Sequence, residues 1–391
     1  MIKLKYQMKI LHINTNKGGG AAKACTRLNE SLNKNEIYSN ILLLNNSPDN
    51  NFLEYRKTTL QNFLFLIYKI RNKIFKSIFL IKKENILSFP DSQLKIESSK
   101  EYKNSDVINL HWVSSFLDYK FFSKNGKLLV WTLHDMEPFS GGTHYSNNKI
   151  NLLNKIILKY KKYYLFKGRK QINIVCPSKW LMNISKNSEL FSGFPHYHIP
   201  NPFNQNIFKK YDKENVRGEF KISKEKKVIL FVSDSINEKR KGFSILLEAF
   251  NKIKDDNIIL CSVGNNKNKI DHKNYIDLGY IKNEETMSKI YSMADVFVIP
   301  SLEDNLPNTM IESIMCGTPV VGFEIGGIKE TIKNGFNGFL SKEIDSDSLL
   351  TVINKTLDSN FNNEKIIENS ISKYSYDAIA KQYIELYNKI K

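Results

Sequence analysis

The sequence predicts an α/β protein made of two doubly wound, Rossmann-like parallel-sheet domains. Three observations carry that expectation. Short runs of Ile, Val and Leu alternate with helical segments along most of the chain, the rhythm of a parallel sheet covered on both faces. That rhythm breaks at His198–Phe203, where Pro200 and Pro202 push their predecessors out of the helical region. Finally, 391 residues exceed what one core comfortably serves.

After Met8, KILHIN reads as a first strand, Thr15–Gly20 as a glycine loop and AAKACTRLNESLNK as the helix that follows. Further strands are expected at Asn40–Leu44, Val107–Leu110, Leu128–Thr132 and Ile172–Cys176. Beyond the proline joint, Val228–Val232, Ile258–Val263, Val296–Ile299 and Pro319–Phe323 read as strands, and Phe243–Lys252 and Glu284–Met293 as helices. The domains are therefore expected at 8–200 and 201–375. The remainder, 376–391, reads as one amphipathic helix packing back toward the N-terminal domain.

Composition excludes several classes. With 41% hydrophobic and 25% charged residues the chain is a folded one, not a disordered or collagen-like one. Cys25, Cys176, Cys261 and Cys316 have no CxxC spacing, so they are expected to be reduced, buried thiols in a cytoplasmic protein. The charge of +18 suits nucleic acid, an anionic membrane face or a phosphorylated small molecule, but a Lys- and Asn-rich drift in composition explains it as well. No basic-aromatic RNA-binding pattern or recognition helix is present, so nucleic acid is not an expected partner. The segment 61–83 is too interrupted, by Lys69, Arg71, Lys73 and Lys76, to cross a bilayer. It reads either as a basic helix lying on an anionic membrane surface or as a helix packed on its own domain. The opening MIKLKYQ lacks the apolar region of a secretory signal.

The densest chemistry lies in Ile299–Val321. A strand ends at Pro300, a helix begins near Asn305–Asn308 with Pro307 in its first turn, and Gly317 and Pro319 stop it. This sets a helix N-terminus at the carboxyl edge of a parallel sheet, where phosphate is favoured. Glu312, about one turn in, can accept two hydrogen bonds from a vicinal diol. Asp304 precedes it in the loop. On pattern alone, a loop acid and a solvated helix residue explain the two equally well.

In order along the chain, several segments resemble retaining glycosyltransferases of the GT-B fold, family four. They are Gly18-Gly19-Gly20, Thr132-Leu133-His134-Asp135, Cys176-Pro-Ser-Lys-Trp, Ile199-Pro-Asn-Pro-Phe, Lys239-Arg-Lys-Gly-Phe, the Asp304…Glu312 acidic pair and Gly317-Thr-Pro-Val-Val with Gly326-Gly327. The likeness runs from about Met8 to Leu340 and omits Asn45–Lys103. It implies two domains facing a cleft and transfer of a hexose from a UDP- or GDP-sugar to a glycan or lipid-linked acceptor in cell-surface polysaccharide synthesis. It also implies that Glu312 binds the ribose, Asp304 contacts the hexose, Arg240 and Lys241 neutralise the diphosphate, and His134 positions the sugar. Gly19, Gly20, Glu303, Asn305, Leu306, Pro307 and Asn308 would line the donor. Two departures stand out: the first acid is Asp304 beside Glu303 where the family has Glu, and Arg240 adjoins Lys241 where the family spaces its Arg and Lys apart.

Other candidates are weaker. His111-Trp112 and His144-Tyr145 could touch an acceptor or simply pack. Asp345-Ser-Asp347 imitates a metal clamp but reads better as a helix cap. No catalytic metal or other cofactor is expected. The rival readings are an epimerase or phosphorylase on the same fold, and a non-catalytic basic protein that binds membrane or nucleic acid. Acceptor specificity is expected in Thr143–Asn148 and Asn45–Lys103.

Overall fold

The computed structural model describes residues 8–44, 52–79, 87–145, 152–168, 171–267 and 270–391. Residues 1–7, 45–51 and 80–86, the end of the 61–83 segment and residues 146–148 lie outside that description. The chain divides into two compact units, Met1–Ile199 with Ala380–Lys391, and Pro200–Ile379.

Unit 1 holds a seven-stranded sheet of β1 (Lys9–Asn14), β2 (Tyr38–Leu43), β3 (Leu53–Glu54), β4 (Val107–Leu110), β5 (Leu128–Thr132), β6 (Asn173–Cys176) and β7 (His196–His198). Their order is β3-β2-β1-β4-β5-β6-β7, and every pairing is parallel. All four residues of β4 and all four of β6 are buried, as expected of strands covered on both faces. Leu11, Ile13, Ile108, Leu110, Trp131 and Ile174 belong to its main core. The closing helix, Tyr376–Ile390, starts in unit 2, since its first turn groups with that unit, and continues in unit 1 from Ala380. There Tyr383 OH pairs with Thr132 Oγ1 at 3.1 Å, and Asn109 Nδ2 donates to Tyr387 OH at 3.0 Å. Two fully buried phenols are thereby satisfied against β4 and β5.

Unit 2 holds β8 (Lys227–Ser235), β9 (Ile258–Asn265), β10 (Tyr275–Asp277), β11 (Val296–Ile299), β12 (Val320–Phe323) and β13 (Gly338–Ser341), in the order β10-β9-β8-β11-β12-β13, again all parallel. In both sheets the order turns back, at β1/β4 and at β8/β11, and such switch points open a crevice at the carboxyl ends of the strands.

The strands absent from the sequence reading are β3, β7, β10 and β13. Each has two to four residues, too few to display a period, and each lies at or next to a sheet edge. Asp345 caps the Ser346–Leu357 helix by accepting from Ser348 N at 2.7 Å, and Asp347 pairs with Lys252 at 2.7 Å. That sequence triplet is a cap. All four cysteines are free and buried.

Gly242 ends the Lys239–Lys241 turn and caps the Phe243–Asn251 helix at φ +70°, and a Cβ there would run into the Pro300 carbonyl. Only glycine suits both demands. Gly242→Ala is expected to lower unfolding free energy by about 1–3 kcal/mol, measured by urea titration.

Candidate functional site

In unit 2 the chain leaves β8 and passes through the Lys239–Lys241 turn, while beyond β11 it enters the loop Ser301–Asn305. Leu302 N donates to the Arg240 carbonyl at 2.8 Å, which ties the turn to the loop. Arg240 Nη1 donates to the Glu303 carbonyl at 2.8 Å and reaches Asp304 Oδ2 at 3.4 Å, while its Nε and Nη2 hold Glu238 Oε1 at 3.0 and 2.8 Å. Lys241 Nζ meets Asp304 Oδ2 at 2.6 Å. Ser301 Oγ and Asn305 N also donate to the Asp304 carboxylate. Behind it, Gly326 at φ +47° lets the backbone close on the Asp304 carbonyl, where a Cβ would collide.

Asp304 is 8% exposed and Glu312 4%, so the reading of Glu312 as a solvated helix residue is overturned, while Asp304 is a loop acid that is buried. Burial acts to raise the Asp304 carboxyl; the Lys241 and Arg240 charges outweigh it and hold the group below its ordinary value. The acidic helix runs Asn308–Met315 with Pro307 at its N-cap, one step outside the first turn expected for it. Glu312 Oε2 accepts from Tyr291 OH at 2.8 Å, and Asn201 Nδ2 donates to Asn308 Oδ1 at 3.1 Å. Arg240, Lys241, Glu303, Asp304 and Asn305 thus form one linked group. Leu306, Pro307, Asn308 and Glu312 continue from it along the chain, with Leu306 and Glu303 buried.

The remaining sequence candidates belong to unit 1. Gly18, Gly19 and Gly20 are exposed after β1, and Gly19 at φ +92° caps the Gly20–Lys34 helix. His134 follows β5. Its Nε2 lies 3.0 Å from His111 Nδ1, and the two rings stack at 5.3 Å and 22°. His111 Nε2 in turn lies 2.9 Å from His12 Nδ1. Burial holds all three imidazoles neutral: His12 falls to about 3, His134 to about 4 against the opposing pull of Asp135, and His111 well below 6.5. Beside them His144 Nδ1 meets Asp135 Oδ2 at 2.6 Å, His144 Nε2 meets Ser88 Oγ at 2.8 Å, and Ser88 Oγ meets Ser114 Oγ at 2.6 Å. Sequence reasoning missed His12, Glu238 and Tyr291. The available signal for His12 was an imidazole set in an otherwise apolar strand next to a second histidine-bearing strand end.

Acid should therefore act in two stages. Below the ordinary histidine value of 6.5 the unfolded chain takes up protons that buried His12 and His111 refuse. Stability then falls with falling pH, by about 1.4 kcal/mol per pH unit for each such histidine. Asp304, whose folded value is depressed, contributes stability above its ordinary 3.8 and loses it only as pH drops through the lower folded value. Urea midpoints across pH 7 to 3 should show a shallower first stage in His12→Asn and a diminished second stage in Asp304→Asn.

Residues 212–373 match the family model described as Glycosyl transferases group 1. An uncharacterised glycosyltransferase of Methanocaldococcus jannaschii is 25% identical over 300 residues, covering 72% of this chain and 75% of that relative. The lipopolysaccharide 1,2-N-acetylglucosaminetransferase of Salmonella typhimurium is 26% identical over 211 residues, 48% of this chain and 55% of that relative. Among solved structures, Anabaena Alr3699/HepE in complex with UDP-glucose superposes with a TM-score of 0.69 at 16% identity, covering 98% of this chain and all of the other. The fold is GT-B, two Rossmann-like parallel-sheet domains in one chain. The chain is a glycosyltransferase, and its residues 212–373 match the glycosyl transferases group 1 family.

Proposed function

We propose that this glycosyltransferase moves a hexose from a UDP- or GDP-sugar to a glycan or lipid-linked acceptor, with anomeric configuration retained, during assembly of a cell-surface polysaccharide. One observation carries the reading: Arg240 and Lys241 converge on Asp304 at the carboxyl ends of β8 and β11, the crossover position at which open parallel sheets hold nucleotides. The bond from the anomeric carbon to the diphosphate breaks, and its electron pair goes to the phosphate oxygen. The acceptor hydroxyl oxygen bonds to the same face of that carbon, and its proton passes to the departing phosphate. Negative charge thus builds where Arg240 offers a planar fork and Lys241 a point charge. Asp304 keeps both cations aimed and faces the hexose. Glu312, its rotamer held by Tyr291, accepts from the ribose hydroxyls. Neutral His134 bonds a sugar hydroxyl without adding charge. With two cations and the helix amides at Asn308 to meet the diphosphate, the reaction needs no metal. The Salmonella relative acts on lipopolysaccharide by its name, which supports the acceptor class.

The lipid-linked form of the acceptor has its own support. No helix among the described residues is long and apolar enough to cross a membrane. The Thr59–Ile78 helix, however, buries only Phe65 and Tyr68 and leaves Leu60, Phe63, Ile67, Ile70, Ile74 and Ile78 between 48% and 66% exposed along one side. Exposed Lys69 and Lys73 accompany them. An apolar stripe flanked by lysines suits an anionic bilayer surface, and we place the enzyme at the inner face of a membrane on that ground.

A melting panel with UDP, GDP and ADP should raise Tm for the matching nucleotide by mass action, and Glu312→Ala should abolish the rise. If none of the three shifts Tm, the donor reading fails. Lys241→Met should lower turnover about 100-fold or more, read as nucleoside diphosphate release, while EDTA leaves the wild-type rate unchanged. Isomerised donor in place of transfer product would transfer the assignment to an epimerase. In vesicle flotation, Phe63→Glu with Ile70→Glu should release the protein from anionic liposomes; undiminished flotation removes the membrane reading.

A further inference from the structure

The three stacked imidazoles of unit 1 carry a constraint that no single ring would. Each is neutral at pH 7 and so bears one N–H. Each of the two ring-to-ring contacts, His12 Nδ1 to His111 Nε2 and His111 Nδ1 to His134 Nε2, needs one proton and one lone pair. Suppose His111 carries its proton on Nε2. Then His12 Nδ1 must be bare, with the His12 proton on Nε2, and His134 must donate through Nε2. If His111 carries it on Nδ1, then His12 carries its own on Nδ1, and His134 Nε2 is bare with its proton on Nδ1. No mixed arrangement satisfies both contacts. The three rings share one tautomer.

The buried end decides which. His12 is fully buried, and its Nε2 has no hydrogen-bond partner. Cys25, on the Gly20–Lys34 helix, is also buried, and its sulfur and one ring nitrogen each of His12 and His111 all lie within 4.8 Å of one another. Burial raises the Cys25 thiol, so it keeps its proton and is a weak donor. A proton on His12 Nε2 would be a buried N–H with no acceptor, the costlier form of orphan. A bare Nε2 is the cheaper one, since an unmet lone pair costs less than an unmet N–H. The same contacts argue against a metal at this cluster, because both nitrogens of His111 already serve neighbouring rings.

We propose that His12 and His111 are positioning residues that lock His134 in its Nδ1–H tautomer, which fixes the form in which His134 meets the donor sugar. The ligand half of this statement rests on the glycosyltransferase reading above; the tautomer half does not. His12 thus reaches the reaction only through His111 and His134, as outer partners that fix the ring and proton of a working histidine do elsewhere.

The test is ¹⁵N NMR of the full-length protein labelled at its seven histidines, with resonances assigned by His12→Asn, His111→Gln and His134→Asn. His134 and His111 should both show a protonated Nδ1 and a bare Nε2 at pH 7. Protonated Nε2 on His134, or different tautomers on the two rings, overturns the proposal whether or not any donor is turned over. In kinetics, His12→Leu should reduce kcat/KM by about 10-fold or more, and His12→Asn, whose amide can still donate to His111, should restore most of it. Equal loss in both variants with unchanged melting overturns the relay. Tight binding of one Zn²⁺ per chain that is lost in Cys25→Ala also overturns it, since the cluster would then be a metal site.

Discussion

A parallel sheet whose strand order turns back on itself has one place where the connections on either side diverge, and this chain sets its ionisable residues there twice. In unit 2 the turn after β8 and the loop after β11 flank that position, and Arg240, Lys241 and Asp304 fill it. In unit 1 His12 lies within β1, His111 one residue beyond β4 and His134 two residues beyond β5. The strands supply depth and the loops supply chemistry, so side chains 64 residues apart in sequence meet with little freedom left to them.

Asp304 shows what such depth demands. A carboxylate taken out of water is tolerable only when its charge and lone pairs are met. Here Lys241, Arg240, Ser301 Oγ and the Asn305 amide meet them. The proposed diphosphate would compete with that carboxylate for the same cations, so its binding and the ion cluster would be coupled. Glu238 adds a second tie, since it holds two nitrogens of Arg240 and fixes the fork that would otherwise swing freely on its long stem. The adjacency of Arg240 and Lys241, which departs from the family's spacing, is accommodated because the turn carrying them points both toward Asp304.

Much of this was legible in the residues. The central strands β1, β4, β8, β9 and β11 declare themselves as mainly apolar runs, the prolines at 200 and 202 mark the joint, and the order of glycine loop, His134-Asp135, Arg240-Lys241 and Asp304…Glu312 indicates the expected chemistry. The edge strands were not legible, since a two-residue strand such as Leu53–Glu54 is selected by its neighbour and not by its own pattern. The Tyr291–Glu312 bond joins two helices through a contact with no sequence signature. His12 was hidden for the opposite reason: inside an apolar strand it looked like an ordinary core residue, and only the parallel register that sets β1 beside β4 brings it against His111.

The loop around His134 explains why that histidine can be held so closely. Asp135 accepts from His144 and from the Glu137 amide, His144 reaches Ser88, and Ser88 reaches Ser114. The Ser88–His144–Asp135 series has the connectivity of a hydrolytic triad, but Ser88 is 4% exposed and its hydroxyl is already shared with Ser114. Burial would lower His144, yet the Asp135 charge raises it, so Asp135 favours the charged imidazole and anchors it. Lys161, wholly buried, grips the Glu137 carboxylate and carbonyl and secures the far side of the same turn. Removing Lys161 would leave Glu137 charged and dry, the situation that destabilises buried pairs most. The His144–Asp135 and Lys161–Glu137 pairs therefore fix the backbone on the C-terminal side of His134, while His111 fixes its ring. A side chain restrained from both directions keeps one orientation, which a loop carrying Gly141 and Gly142 could not impose unaided.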